Sequence, residues 1–410
     1  MKKLYTILAI AAVAAVGCAK TEVVNDTPDV KIGYQVANYM TQTKAGETSF
    51  LTELAGLGVA AADASFNSKA FINADNGNGG HNFSEFFNET IEWDGTAKTW
   101  SPASKDYYWP KSPKSNIDFF SWYDYEGVAP TLTYTGTTAT MVWSNKAVAG
   151  KSDILFADIA FHQVKNTKPA TYAALDGVSE GVPTLFHHGL AQVKFTAKIK
   201  DGCYQIEDSK NTGNYHFWEV KLSNVAFAAS KVHTNGTLTL TGADPDANDA
   251  AASITPWASA VWTNAATPAY VTDAWFQTAE ALGTTALTET AANLIPDTYM
   301  GNGYIAVRPQ TIGNDVTLGL TMTITHKYGT AIGSASPVST ETINVTAYAP
   351  TAPYTATGIQ LNQIGSISAW EMNHKYTYNL IIDPTTNIIL YDPAVEAWAG
   401  ETTGTVNIPQ

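Results

Sequence analysis

Over residues 316–325 every second side chain is apolar: Val316, Leu318, Leu320, Met322 and Ile324 alternate with Thr317, Gly319, Thr321, Thr323 and Thr325. On a helix these five side chains would scatter around the axis. On a strand they line one face, which can be buried while the other face meets water. The same period of two recurs along the chain. Val193, Phe195, Ala197 and Ile199 alternate with Lys194, Thr196, Lys198 and Lys200, and Tyr376, Tyr378, Leu380 and Ile382 form a late row closed by Asp383 and Pro384. Near the start, Val30, Ile32, Tyr34 and Val36 alternate with Lys31, Gly33 and Gln35. Leu51, Leu54 and Leu57 predict one short helix within residues 50–61. The fold class is mainly β, and 410 residues suffice for two cores at the usual ~100 to 200 residues each.

Turn-rich stretches separate these rows. Residues 73–82 are crowded with Gly and Asn, and residues 242–252 with Asp and Ala, which predicts exposed loops. Residues 165–181 carry few bulky apolar side chains and precede a new strand run. A domain boundary is therefore expected near Pro183, giving domains over 30–183 and 184–410.

The N-terminus carries an address. Lys2 and Lys3 precede an uncharged apolar run over residues 4–16, then Gly17 and Cys18. The run is shorter than the ~20 residues of a spanning helix and predicts a removed signal peptide over 1–17. Ala15, Val16, Gly17 and Cys18 are similar to a bacterial lipobox, whose cysteine receives a diacylglyceryl group and becomes the mature N-terminus. Lipidation is expected at Cys18, with residues 18–29 as a polar tether. Cys203, the other cysteine, then has no disulfide partner and is expected to be a structural thiol. A net charge of −14 offers no basic surface to a phosphate backbone, so nucleic acid is not an expected partner.

Catalytic and metal patterns fail one by one. Asp244, Asp246 and Asn248 occupy positions 1, 3 and 5 of a calcium-loop template, yet position 6 is Asp249 and position 12 is Thr255. His187 and His188 are adjacent, so on a strand they face opposite sides and cannot easily share an ion. HExxH, P-loop and paired CxxC patterns do not occur. Asp118, Asp124 and Glu126 sit among aromatics, a setting that suits a glycosidase only if two carboxylates converge. Trp93, Trp100, Trp109, Trp122, Tyr107, Tyr108 and Tyr123 form either a carbohydrate-stacking platform or a core. No enzyme, cofactor or metal is implied.

Several phrases in order carry a family resemblance: Tyr108-Trp109-Pro110, Asn116-Ile117-Asp118-Phe119-Phe120-Ser121-Trp122-Tyr123 and Asp153-Ile154-Leu155-Phe156-Ala157 come first. Phe186-His187-His188-Gly189-Leu190-Ala191-Gln192-Val193-Lys194-Phe195 follows, then Tyr304-Ile305 ahead of Arg308-Pro309-Gln310, and Trp370 ahead of Tyr376, Tyr378 and Leu380. In this order the chain resembles the fimbrillin-like proteins of the Bacteroidota, subunits of type V pili, over about residues 30–400. The resemblance implies two tandem β-sandwich domains of transthyretin-like topology, lipoprotein export to the outer membrane, and assembly with itself or other fimbrial subunits by strand exchange. Host or glycan ligands are further implied partners. Polymerising members are cut after an arginine beyond the first strand. Here the only arginine is Arg308, and the nearest equivalent phrase is Thr43-Lys44-Ala45, which makes Lys44 the candidate processing site. The competing reading is a glycan-binding surface lipoprotein, which needs its Trp and Tyr rings exposed where a pilus subunit buries them.

Overall fold

The computed structural model describes residues 29–397 apart from 39–49, 52–53, 78–80, 98, 149, 166–180, 228–230, 246–251, 272–284, 296–299, 301–302, 331–338, 347–357, 366 and 387. The chain is built almost wholly from strands. The first ten are β1 (Tyr34–Asn38), β2 (Ser65–Asp75), β3 (His81–Asp94), β4 (Thr99–Pro102), β5 (Asn116–Asp124), β6 (Thr131–Tyr134), β7 (Thr138–Ala147), β8 (Ile154–Ala157), β9 (Ile159–Gln163) and β10 (Val182–His188). Seven of them run in the order β5-β2-β3-β4-β1-β10-β8, and β8 pairs again with β5, so this sheet closes on itself. Each of the seven sends side chains to the enclosed core, including Tyr34, Phe66, Phe87, Trp100, Phe119, Leu155 and Phe186. Phe50, Leu54 and Leu57 from the expected helical stretch are buried among them.

The chain leaves this ring at His188 and continues as β11 (Ala191–Ile199), β12 (Gln205–Glu207) and β13 (Tyr215–Ala226). Next come β14 (Asn235–Ala243), β15 (Ser253–Thr255) and β16 (Ser259–Thr263). The remainder is β17 (Ala292–Asn293), β18 (Tyr304–Val307), β19 (Gln310–Thr311), β20 (Thr317–Gly329), β21 (Ser339–Thr346), β22 (Ile359–Gln360), β23 (Ala369–Trp370), β24 (His374–Asp383) and β25 (Ile388–Ala397). One sheet runs β17-β11-β24-β25 and another β12-β13-β20-β21. Their facing rows make the second core: Val193, Phe195, Ala197, Ile199, Tyr376, Tyr378, Leu380 and Ile382 meet Val220, Leu222, Leu320, Met322 and Ile324. Apart from Val220 and Leu222, these are the alternating rows of the sequence, and all are buried.

The chain passes to the second unit at residues 188–190, after β10, and then crosses back. β14 pairs with β7, β15 pairs with β9, and β16-β14-β7-β6 form a sheet over the outer face of β5. A third core lies there, with Phe120, Trp122 and Phe161 against Met141, Trp143, Leu238, Leu240 and Trp257. The reason is visible in β5. Ile117 and Phe119 point into the ring while Phe120 and Trp122 point out, so both faces of the strand are apolar and each needs a cover. Arg308 pins the returning segment. Its Nη2 donates to Asn264 Oδ1 at 2.7 Å and its Nη1 to the Asn235 and Thr263 carbonyls at 3.2 and 3.3 Å. Gly236 makes room for it: a Cβ there would stand 2.6 Å from Arg308 Nη1.

Candidate assembly interface

β1 occupies the seam of the ring. It pairs in parallel with β10 from Tyr34↔Val182 to Asn38↔Phe186, and with β4 at Tyr34↔Trp100. The main chain before it extends the seam. The Ile32 N–H donates to the Tyr107 carbonyl at 2.8 Å, the Trp109 N–H to the Val30 carbonyl at 3.0 Å, and the Val182 N–H to the Gly33 carbonyl at 2.7 Å. Ile32, Tyr34 and Val36 are buried, Lys31 is exposed, and Gly33 and Gln35 are half-buried, as the alternation requires. The Tyr34 ring meets Phe66 and Phe119 edge-on at 5.5 and 5.9 Å, and Phe50 stacks on Phe186 at 4.8 Å beside them. Each buried side chain of this kind contributes about 1.5–3 kcal/mol. Without β1, those aromatic rings would line an open groove whose two flanks carry unpaired main-chain groups. Cys18 and Lys44 lie outside the described residues.

β25 is the edge of the second unit. It pairs antiparallel with β24 from His374↔Ala397 to Asp383↔Ile388, so Ile388, Leu390 and Val395, expected from sequence to be available for pairing elsewhere, stand in a home ladder. Pro393, opposite Tyr378, has no N–H to give and fits only an edge strand. It also blunts that edge against a further strand.

The aromatics turn inward. Trp100, Trp109 and Trp122 are buried, Trp93 packs on Trp100 at 5.2 Å, and Tyr107 donates its hydroxyl to Glu89 at 2.7 Å. Tyr108 alone of the seven is exposed, at 41 %.

Of the three carboxylates singled out in the sequence, Asp124 and Glu126 meet on Lys146, which neutralises them as an ion-pair cluster, and Asp118 stands apart. Asp118 and Asp124 share the outer face of β5 but stand six residues apart, about 20 Å along a strand, beyond the ~5 to 9.5 Å of glycosidase pairs. Each serves a bulge. At Asn145 the chain takes a positive φ of 47°, and β7 carries one extra residue opposite β14 between Trp143↔Leu238 and Lys146↔Gly236. The bulge reverses the alternation and turns Lys146 inward, where Nζ lies 2.7 Å from Asp124 Oδ1 and 2.6 Å from Glu126 Oε2. Burial pushes the Asp124 carboxyl up to about 6, against the opposing pull of Lys146. His162, with φ of 51°, makes the matching irregularity in β9. Its N–H donates to Asp118 Oδ1 at 2.7 Å, Tyr134 donates to Asp118 Oδ2 at 3.0 Å, and His162 Nε2 lies 2.6 Å from Asp244 Oδ2. Burial pushes Asp118 up. Asp244, read in sequence as a failed calcium ligand, is thus a partner of His162.

His187 and His188 do face opposite sides. His188 is buried with Nδ1 3.0 Å from Asp153 Oδ2, and His187 Nε2 lies 2.8 Å from Asp158 Oδ1. Burial pushes the Cys203 thiol up, which disfavours the thiolate. Sequence reasoning missed Lys146 and His162. The available signal was Ser144-Asn145 interrupting the row of Met141 and Trp143, since Asn tolerates the left-handed region a bulge requires.

The chain matches the fimbrillin-like family over residues 60–398. It belongs to that family. Among solved structures it is similar to a fimbrial protein from Bacteroides vulgatus ATCC 8482, at 15% identity and a TM-score of 0.45, covering 90% of this chain and 99% of that one. It is also similar to two Porphyromonas gingivalis proteins. The tip fimbrial protein Mfa3 shows 8% identity and a TM-score of 0.29, over 90% of this chain and 100% of that one. The fimbrial anchor protein Mfa2 shows 10% identity and a TM-score of 0.23, over 90% and 98%. No curated protein matches the sequence. In this fimbrillin-like chain the phrases that carried the resemblance are neighbouring strands. Those at 116–123, 153–157 and 186–188 fall on β5, β8 and β10, around the closure of the ring, and those at 191–195, 304–305 and 376–380 fall on β11, β18 and β24. They mark the fold.

Proposed function

We propose that the chain is a structural or adhesive fimbrial subunit, non-catalytic, exported as an outer-membrane lipoprotein through Cys18 and assembled on the cell surface by strand exchange. A cut near Lys44 would release β1, and a strand from another subunit or a second copy would fill the groove. The observation that carries this reading is the seam itself: one short N-terminal strand, with Tyr34 and Val36 buried and Ile32 buried just before it, stands between β4 and β10. Main-chain pairing would supply affinity and the alternate pockets specificity. The inward turn of the Trp and Tyr rings favours assembly over a glycan platform. β25 is the proposed donor, and it would have to leave β24 to serve.

Two experiments test it. A specific protease site placed at Lys44 in protein lacking residues 1–18, then cut, is expected to convert monomer into a ladder of oligomers, and a version ending at Pro384 is expected not to polymerise. Cut protein that stays a stable monomer sinks the assembly reading, while oligomers from the shortened version remove β25 as donor. Labelled palmitate is expected to enter the full chain in cells and not its Cys18→Ser variant. Equal labelling of both would rule out lipidation at Cys18.

A further inference from the structure

The row that fills the second core continues past it. On β13 and β20 the inward positions pair as Leu222↔Met322, Val220↔Ile324, Trp218↔His326 and His216↔Tyr328. Period two keeps all eight on one face. The first four are buried and the last four half-buried, so histidines stand at the rim where the pattern otherwise places aliphatics. Their rings form a stack, with centroids 5.1 Å apart for Trp218 and His326, 5.2 Å for His326 and His216, and 4.8 Å for His216 and Tyr328. His216 and His326 are diagonal neighbours across the ladder, and His216 Nδ1 lies 3.0 Å from His326 Nε2. Tyr328 is held in place by donating to Asp208 Oδ2 at 2.8 Å and accepting from Asn214 Nδ2 at 3.1 Å.

We propose that His216 and His326 form a two-imidazole site for a divalent transition-metal ion, Cu(II) ahead of Zn(II), with water in the remaining positions. The two nitrogens are near enough to reach one ion together: metal–nitrogen bonds of about 2.05 Å span the 3.0 Å between them. Imidazole suits both metals, and the general order of affinities puts copper first. In the metal-free pair, one ring N–H donates to the other ring's lone pair. For both nitrogens to bind an ion, that proton moves to the other nitrogen of its own ring, so a neutral imidazole exchanges one tautomer for the other and no charge is lost. Among the described residues no group of three His, Cys, Asp or Glu is placed to hold an ion, so chelation rests on this pair. The site is independent of the assembly reading.

The test is titration of the full chain, in detergent and with its thiols alkylated, with copper sulfate, followed by calorimetry and electron paramagnetic resonance. One Cu(II) coupled to two imidazole nitrogens is expected. His216→Phe and His326→Phe keep a ring in the stack, and each is expected to weaken binding by at least about tenfold, the loss that even an outer-sphere partner can cause. Variants that bind copper as the wild type does, or zinc held more tightly than copper, would overturn the proposal. Should a phenylalanine variant fail to fold, copper-induced broadening of imidazole NMR signals in the wild type decides: broadening at His216 and His326 supports the site, and broadening confined to other histidines refutes it.

Discussion

A fragment of residues 29–190 is expected to aggregate, and joining residues 232–264 to it through a flexible linker is expected to restore a soluble unit with a cooperative thermal transition. The shorter fragment contains the whole closed ring yet lacks β14 and β16. It leaves Phe120, Trp122 and Phe161 without Leu238, Leu240 and Trp257, and leaves β7 with β6 but without β14, the longer of its two partner strands. Each lost cover of this kind forfeits about 1.5–3 kcal/mol, against a whole-domain stability of only about 5–15 kcal/mol, and the bared patch adds an association hazard. Gel filtration, dye binding and thermal melts of the two fragments provide the check. A monomeric, cooperatively melting 29–190 fragment would show that the ring needs no second layer.

Lys146→Met is expected to cost about 3–5 kcal/mol near pH 7.5, because it leaves the buried Asp124 carboxylate without its cation. The pH dependence has a fixed sign. Burial raises Asp124 from 3.8 to about 6 in the folded protein, so the folded state holds the proton more tightly than the unfolded chain. The stability this contributes is present below about pH 4 and lost as pH rises through about 6. Removing Lys146 removes the influence that opposes the rise, so the penalty of the variant should be largest above pH 7 and shrink towards pH 4. Adding Asp124→Asn should recover most of the loss, as neutralising an unpaired buried charge does. Urea unfolding of the three proteins at pH 4.5 and 7.5 measures this, and a penalty independent of pH would show that packing, not charge, dominates.

Sequence legibility followed the periodicity. Rows such as Val193 to Ile199 and Val316 to Ile324 were readable because each alternates without interruption, and the structure buries each one. The inward set of β1 was readable for the same reason. The return of residues 235–263 was not, because Leu238 and Leu240 announce a buried face without naming the strand they cover. Closure of the ring was also hidden: β8 is only four residues long, and nothing in Ile154-Leu155-Phe156-Ala157 says that both its edges are paired. The bulges at Asn145 and His162 reversed the local alternation, so an inward Lys146 stood where counting by two would have put it outside. The aromatic run over residues 93–123 had two readings from sequence, and only coordinates could show which way the rings turn.

Both parallel pairings among the described residues join strands far apart in the chain: Tyr34 waits for Val182, and Val193 for Tyr376. At the ~5 to 20 residues added per second during synthesis, β1 exists for roughly 7 to 30 seconds before β10 has been made. Folding dominated by such distant contacts is slow as well. During that interval Ile32, Tyr34 and Val36 are three consecutive inward positions whose core still lacks Val182 and Phe186, and β1 has one edge unpaired. The young chain therefore needs either a temporary companion for this strand or a compartment where few other strands are within reach, and its yield on expression should depend on how long that wait lasts.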